Sequence, residues 1–154
     1  MGWSFKIGRL FGIDLYMHWT FPLLLAFIAG SALMQGAPLI VAAEGVLFVA
    51  AVFACVVLHE YGHALTARRF GLEMRGITLF IFGGVAEMTD EPPSAKAEFW
   101  VAIAGPTASV VIGVVCFRLG LAGQSLQLPP SINGVLFYLG WINGILPLPH
   151  QWQP

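Results

Sequence analysis

The sequence predicts an all-α membrane protein with about four transmembrane helices and a short β-hairpin or re-entrant element between the second and third. Three observations lead there. Mean hydropathy is +0.81, and 58% of the residues are hydrophobic while only 10% are charged, well outside the averages of soluble domains. The apolar residues fall in long runs divided by turn material, and a crossing of the hydrocarbon takes about 20 of them. The 154 residues therefore allow one membrane-embedded domain, 1–154, with no room for a separate soluble one. Finally, a β-branched and aromatic stretch at 77–82 interrupts the helical pattern.

Residues 1–17 place Phe5, Ile7, Leu10, Phe11, Ile13 and Leu15 in partial alternation, either a strand or an interfacial segment. The first span, 18–34, is closed by Gly30-Ser31 and followed by Gln35-Gly36-Ala37-Pro38. Lys6, Arg9 and Asp14 precede it and no small-residue cleavage pattern ends it, which favours a retained span over a cleaved signal. The second span, 39–66, stops before Phe70-Gly71. Between 72 and 93 the strand-like residues from Ile77 to Phe82 meet the breaker Gly83-Gly84 and resume at Val85. Strand edges cannot face lipid, so this element packs against protein or lines a watery cavity. Residues 94–98 read as a polar helix start for the third span, 99–119, in which Gly105, Ser109 and Gly113 recur every four residues and permit close helix packing. Pro106 is expected to kink or restart that helix. The last span is 132–148.

A net charge of −1 without basic or acidic blocks gives no sign of nucleic acid as a partner. Cys55 and Cys116 both lie in apolar segments and read as small buried hydrophobes. With four spans and both termini cytoplasmic, Lys6, Arg9, Arg68, Arg69, Arg75 and Lys96 lie inside and Arg118 near the outer face, in keeping with the positive-inside rule. Trp3, Trp19 and Trp100 fall near span ends, at headgroup level. His18 is read as an interfacial anchor, and Glu44 as too far along the helix to share a site with the histidines that follow.

Those histidines stand in the segment His59-Glu60-Tyr61-Gly62-His63, an HExxH pattern at the end of the second apolar run. On a helix His59 and His63 project from one face a turn apart, so two imidazoles can reach one Zn²⁺. Glu60, about 100° round the helix, is placed to take a proton from a water that the ion polarises. Three such groups in an apolar span are costly unless they are paired or hold a metal. The expected reaction is therefore metal-assisted hydrolysis of a peptide bond.

Together with Phe82-Gly83-Gly84-Val85-Ala86 and Ala104-Gly105-Pro106-Thr107-Ala108-Ser109, this motif resembles the site-2 protease family, in the same order and spacing. Phe11-Gly12-Ile13-Asp14 and His18-Trp19-Thr20 look like its bacterial and archaeal branch, whose members often carry CBS domains. The resemblance implies an integral, multi-pass protein of a prokaryotic cell membrane. It also implies a zinc metalloendopeptidase that cuts transmembrane or membrane-associated protein substrates, with the lipid bilayer as its setting. Gly83, Gly84 and Asn143 are the candidates for contact with substrate.

The family's third ligand is an aspartate in a segment of the form N-x-x-P-x-x-P-x-D-G. Here Asn143-Gly144-Ile145-Leu146-Pro147-Leu148-Pro149-His150 carries the prolines without the acid, and the last acidic residue is Glu98. The expectation is a C-terminus truncated or altered relative to the family; His150 reads as a solvated tail residue in preference to a substitute ligand, and Asp90 and Glu87 are likewise the less favoured candidates for that place. The alternative function is a non-catalytic protein of the same fold that binds substrate helices. Asn143 serves either a substrate or oxyanion contact or a helix–helix hydrogen bond.

Overall fold

The computed structural model describes residues 3–88 and 92–145. Eight elements follow one another: β1 (Ser4–Leu10), β2 (Ile13–His18), α1 (Thr20–Met34), α2 (Leu39–Arg69), β3 (Met74–Phe80), β4 (Gly83–Met88), α3 (Ala95–Ser125) and α4 (Pro130–Ile145). Four helices are found where four apolar runs predict them. Two of them, α2 and α3, are long and apolar enough to cross a membrane at 31 residues each. The others reach 15 residues in α1 and 16 in α4.

The all-α expectation needs correction. The 1–17 segment and the 72–93 segment build one four-stranded sheet in the order β1-β2-β3-β4, with antiparallel pairs at its flanks and a parallel pair, β2 with β3, at its centre. β1 turns into β2 through Phe11 and Gly12, whose φ of 50° and 80° suit a two-residue turn matched to strand twist. Lys6 Nζ lies 2.7 Å from Asp14 Oδ1 across this hairpin. The hydrogen-bonded ammonium of Lys6, with Arg9 beside it, holds the Asp14 carboxyl below its ordinary range. β3 lies inside the sheet, so the strand expected at 77–82 already has a neighbour on each side and leaves β1 and β4 at the edges.

The sheet is laid on the last turns of α2. Ile13, Ile77, Tyr61 and Ala64 form a buried cluster that Leu15 and Ala86 flank, so Ile13 and Leu15 of β2 and Ile77 of β3 face the helix. The Tyr61 hydroxyl reaches the carbonyls of Leu10 and Ile13 at 3.3 and 3.4 Å, and Arg68 donates to the carbonyl of Phe11. Both ends of the first hairpin's turn are thus tied to α2. On another side of that helix, α3 begins at Ser94, whose hydroxyl accepts the Ala97 N–H. It runs through Pro106 as one helix, without the restart that was one of the two expectations there.

The small-residue stripe of α3 serves two partners. Its early part meets α2, where a Cβ on Gly62 would lie 2.7 Å from the Ala104 carbonyl oxygen. Its later part meets α4, where a Cβ on Gly113 would lie 3.1 Å from the Gly140 carbonyl oxygen. α1 joins the middle of α2 through Phe21 and Phe53, with ring centroids 4.3 Å apart.

Replacing Ile77, which is fully buried between sheet and helix, by Ala should lower stability by about 2–5 kcal/mol. Phe82→Ala at the β3–β4 turn, where the ring is 95% exposed, should change it by less than about 0.5 kcal/mol. Thermal unfolding of the purified protein reads both, and equal effects would contradict this packing.

Candidate metal centre

α2 carries His59, Glu60 and His63 at positions that α3 and β4 then cover. His63 Nδ1 is 2.6 Å from the Val101 carbonyl oxygen and His59 Nδ1 is 2.8 Å from Ser109 Oγ. A carbonyl only accepts, so the neutral His63 ring keeps its proton on Nδ1. Its Nε2 lone pair then points at His59, and the two Nε2 atoms are 3.2 Å apart.

Glycines make this convergence possible. The His63 ring occupies the space that a side chain at Gly105 would fill, with the would-be Cβ inside contact distance of Nε2, Cε1 and Cδ2. Pro106 next to it has no N–H, and its ring crowds the carbonyl four residues back. That carbonyl is the one of Ala102, and His63 reaches the one before it, of Val101. Gly84 plays the same part for Glu60: a Cβ there would lie 2.7 Å from Glu60 Cγ. Glu60 is half-buried under the first residues of β4.

The remaining candidates are distributed unevenly. Gly83, at φ 141°, allows the β3–β4 turn a conformation that side chains rarely adopt, and Gly84 is the one of the two whose missing Cβ leaves room for Glu60. Asn143 is buried and donates to the Leu139 carbonyl of its own helix at 2.9 Å. It packs beside Gly113, one turn along α3 from Ser109. Glu87 lies on the sheet face opposite Ala86, away from the histidines. Asp90 and His150 lie outside the described residues. His18 accepts the Thr20 N–H at 3.3 Å and stacks on Phe80, anchoring the start of α1. Sequence reasoning missed the Ser109 hydroxyl as a partner of His59, because the residue counted only as a small member of a packing stripe.

The donor set fits zinc in two respects. Two nitrogens about 2.0–2.1 Å from one tetrahedral ion are themselves about 3.3 Å apart, close to the 3.2 Å observed. Both Nδ1 atoms also have the outer partners that orient a ligating imidazole. Among the described residues no group of three His, Cys, Asp or Glu side chains gathers, so a third protein ligand is not supplied there.

An intramembrane-type helix carrying a zinc-competent pair under a small sheet defines a class of membrane metallopeptidase, and comparison with known proteins places the chain in it. Residues 47–147 match peptidase family M50, and the chain belongs to that family, the site-2 proteases. It superposes on the site-2 protease of Methanocaldococcus jannaschii with a TM-score of 0.66 and 31% identity, over 93% of this chain and 65% of that one. A protein of Synechocystis sp. that carries a zinc metalloprotease name is 35% identical over 94% of this chain and 39% of its own length. A zinc metalloprotease of Methanocaldococcus jannaschii is 35% identical over 95% of this chain and 40% of its own length. The chain thus spans about two fifths of the length of these curated relatives.

Ser109→Ala should weaken zinc binding by about 10–100-fold, the usual cost of losing an outer partner of a ligating histidine. Competition against a chromogenic chelator measures it, and an unchanged affinity with an unchanged fold would remove Ser109 from the centre.

Proposed function

We propose that this chain carries the zinc site of an intramembrane metalloprotease that hydrolyses peptide bonds of transmembrane or membrane-associated proteins. The observation that carries the proposal is the pair of Nε2 atoms 3.2 Å apart with Glu60 beside them. His59 and His63 would hold the ion. When bound, zinc supplies a Lewis acid for the scissile carbonyl and lowers the pKa of water towards neutrality.

The chain's own groups do the rest. Glu60 takes the proton from the attacking water and returns it to the leaving amine. Its place under Gly84 keeps the carboxylate beside β4, an outer strand of the sheet. An unwound substrate segment added to that edge by backbone hydrogen bonds would run past Glu60. This role falls to β4 because β3 has no edge to offer. The Val101 carbonyl holds His63 in the tautomer that leaves Nε2 to a metal, and Ser109 orients the His59 ring through Nδ1. Asp90 and His150 are candidates in this chain for the third ligand.

Placement in the bilayer follows the same logic. The structure joins Arg68 and Arg69 at the end of α2, Lys96 at the start of α3, and Lys6, Arg9 and Arg75 in the sheet, while Arg118 lies towards the other end of α3. In the proposed four-span arrangement with both termini cytoplasmic, the metal centre opens to the cytoplasmic side. At 1.5 Å per residue α2 is about 46 Å long, so about ten residues exceed a hydrocarbon layer about 30 Å thick. Counted from Leu39, that excess begins near His59.

A second reading, a non-catalytic protein that grips substrate helices, draws on the missing third ligand among the described residues. Metal analysis separates the two: near-stoichiometric zinc supports the enzyme, and none supports the binder. Glu60→Gln should reduce cleavage of a membrane-anchored reporter by about 10²–10⁴-fold while zinc content is retained. Cleavage at the wild-type rate would overturn the role given to Glu60.

A further inference from the structure

The sheet has a second face, turned away from α2, and it holds a cavity of about 270 Å³ lined by Ser4, Tyr16, Arg75, Gly76, Thr78 and Glu87. Three features build it. The β3–β4 register slips between Met74 and Gly76, so Arg75 is the extra residue of a bulge. A bulge turns a side chain that alternation would send the other way. Met74 packs into the core beneath the sheet, while Arg75 and Gly76 both line the cavity above it. Gly76 then forms the floor: a Cβ there would lie 3.0 Å from Tyr16 Cε2, so the phenol ring lies across the glycine. Glu87 is the register partner of Gly76 and stands at the opposite wall from Tyr16.

The chemistry is that of a zwitterion site. One guanidinium and one carboxylate border the same small space, and among the described residues neither forms an ion pair, whereas the nearby Lys6 is engaged by Asp14. Arg75 offers paired N–H donors for a phosphate, Glu87 an acceptor for an ammonium, and Ser4, Tyr16 and Thr78 three hydroxyls, that of Tyr16 shared with Asp14. The rim indicates where such a ligand would come from. Trp3 adjoins Ser4 and is 72% exposed, and Trp19, which follows β2, is 55% exposed and meets Phe5 edge to face. Exposed indoles at the border of an apolar molecule mark headgroup depth. The cavity is at the lower limit of small-ligand pockets, a size for a headgroup and not for a peptide helix.

We propose that this cavity binds the phosphoethanolamine headgroup of a zwitterionic phospholipid, phosphate on Arg75 and ammonium on Glu87. The proposal rests on the membrane placement given above and is independent of hydrolysis, since its readout is lipid binding alone. Native mass spectrometry of the full chain, titrated with phosphatidylethanolamine, phosphatidylglycerol and soluble O-phosphoethanolamine, tests it. Wild type should prefer phosphatidylethanolamine over phosphatidylglycerol by about tenfold, Glu87→Gln should erase the preference, and Arg75→Gln should weaken both lipids by about tenfold. Tyr16→Phe, a milder change should either variant unfold, should cost about two- to tenfold for phosphatidylethanolamine. Equal binding of the two lipids by wild type, or a preference that survives Glu87→Gln, overturns the site. O-phosphoethanolamine binding as tightly as the lipid overturns the lipid as its source.

Discussion

The close approach of α2 and α3 is the constraint on which the rest depends. Gly62 faces the backbone of Ala104 on one side of the seam, and Gly105 faces the ring of His63 on the other. Only where two helices come this near can the carbonyl of one orient an imidazole of the other, as Val101 does for His63. The polar contacts in turn justify the seam. Imidazoles in an apolar span are costly unless bonded, and here both Nδ1 atoms are bonded to α3. Packing and polar satisfaction are one arrangement seen from two sides.

The five residues of the HExxH segment divide the directions around the helix among them. His59 and His63 turn to α3, Glu60 to β4, Tyr61 to the turn of the first hairpin, and Gly62 opens the way for Ala104 and Ala108. A motif known for its ligands and base thus also fixes the sheet against the helix. The Tyr61 hydroxyl, shared between two carbonyls, and Arg68 two turns later hold β1 and β2 where they can seat β3. Through β3 they seat β4, and so they govern where the edge strand meets Glu60.

The sequence made some of this legible and hid the rest for physical reasons. Helix positions follow from apolar runs and from Ser94 as a cap, signals confined to a few neighbouring residues. The β3–β4 hairpin likewise declares itself in Ile77 to Phe82 and the glycines after them. The joining of two hairpins by a parallel pair does not, because β2 and β3 lie about sixty residues apart and local patterns say nothing about such pairing. Ser109 was visible only as a small residue, since its hydroxyl acquires meaning from His59 on another helix. Asn143 likewise gave no local sign that its amide N–H donates within its own helix, to Leu139. The bulge at Arg75 leaves no mark in the sequence beyond the Gly76 that follows it.

Gly105 carries a lesson for how chains of this kind are compared. Its absent side chain is the room in which an imidazole stands, so exchanging one hydrogen for a methyl would evict that ring while every donor remained spelled out. A homologue could then display HExxH unbroken and have no working centre. In this fold the vacancy at the neighbouring helix belongs to the signature as fully as the letters of the motif do.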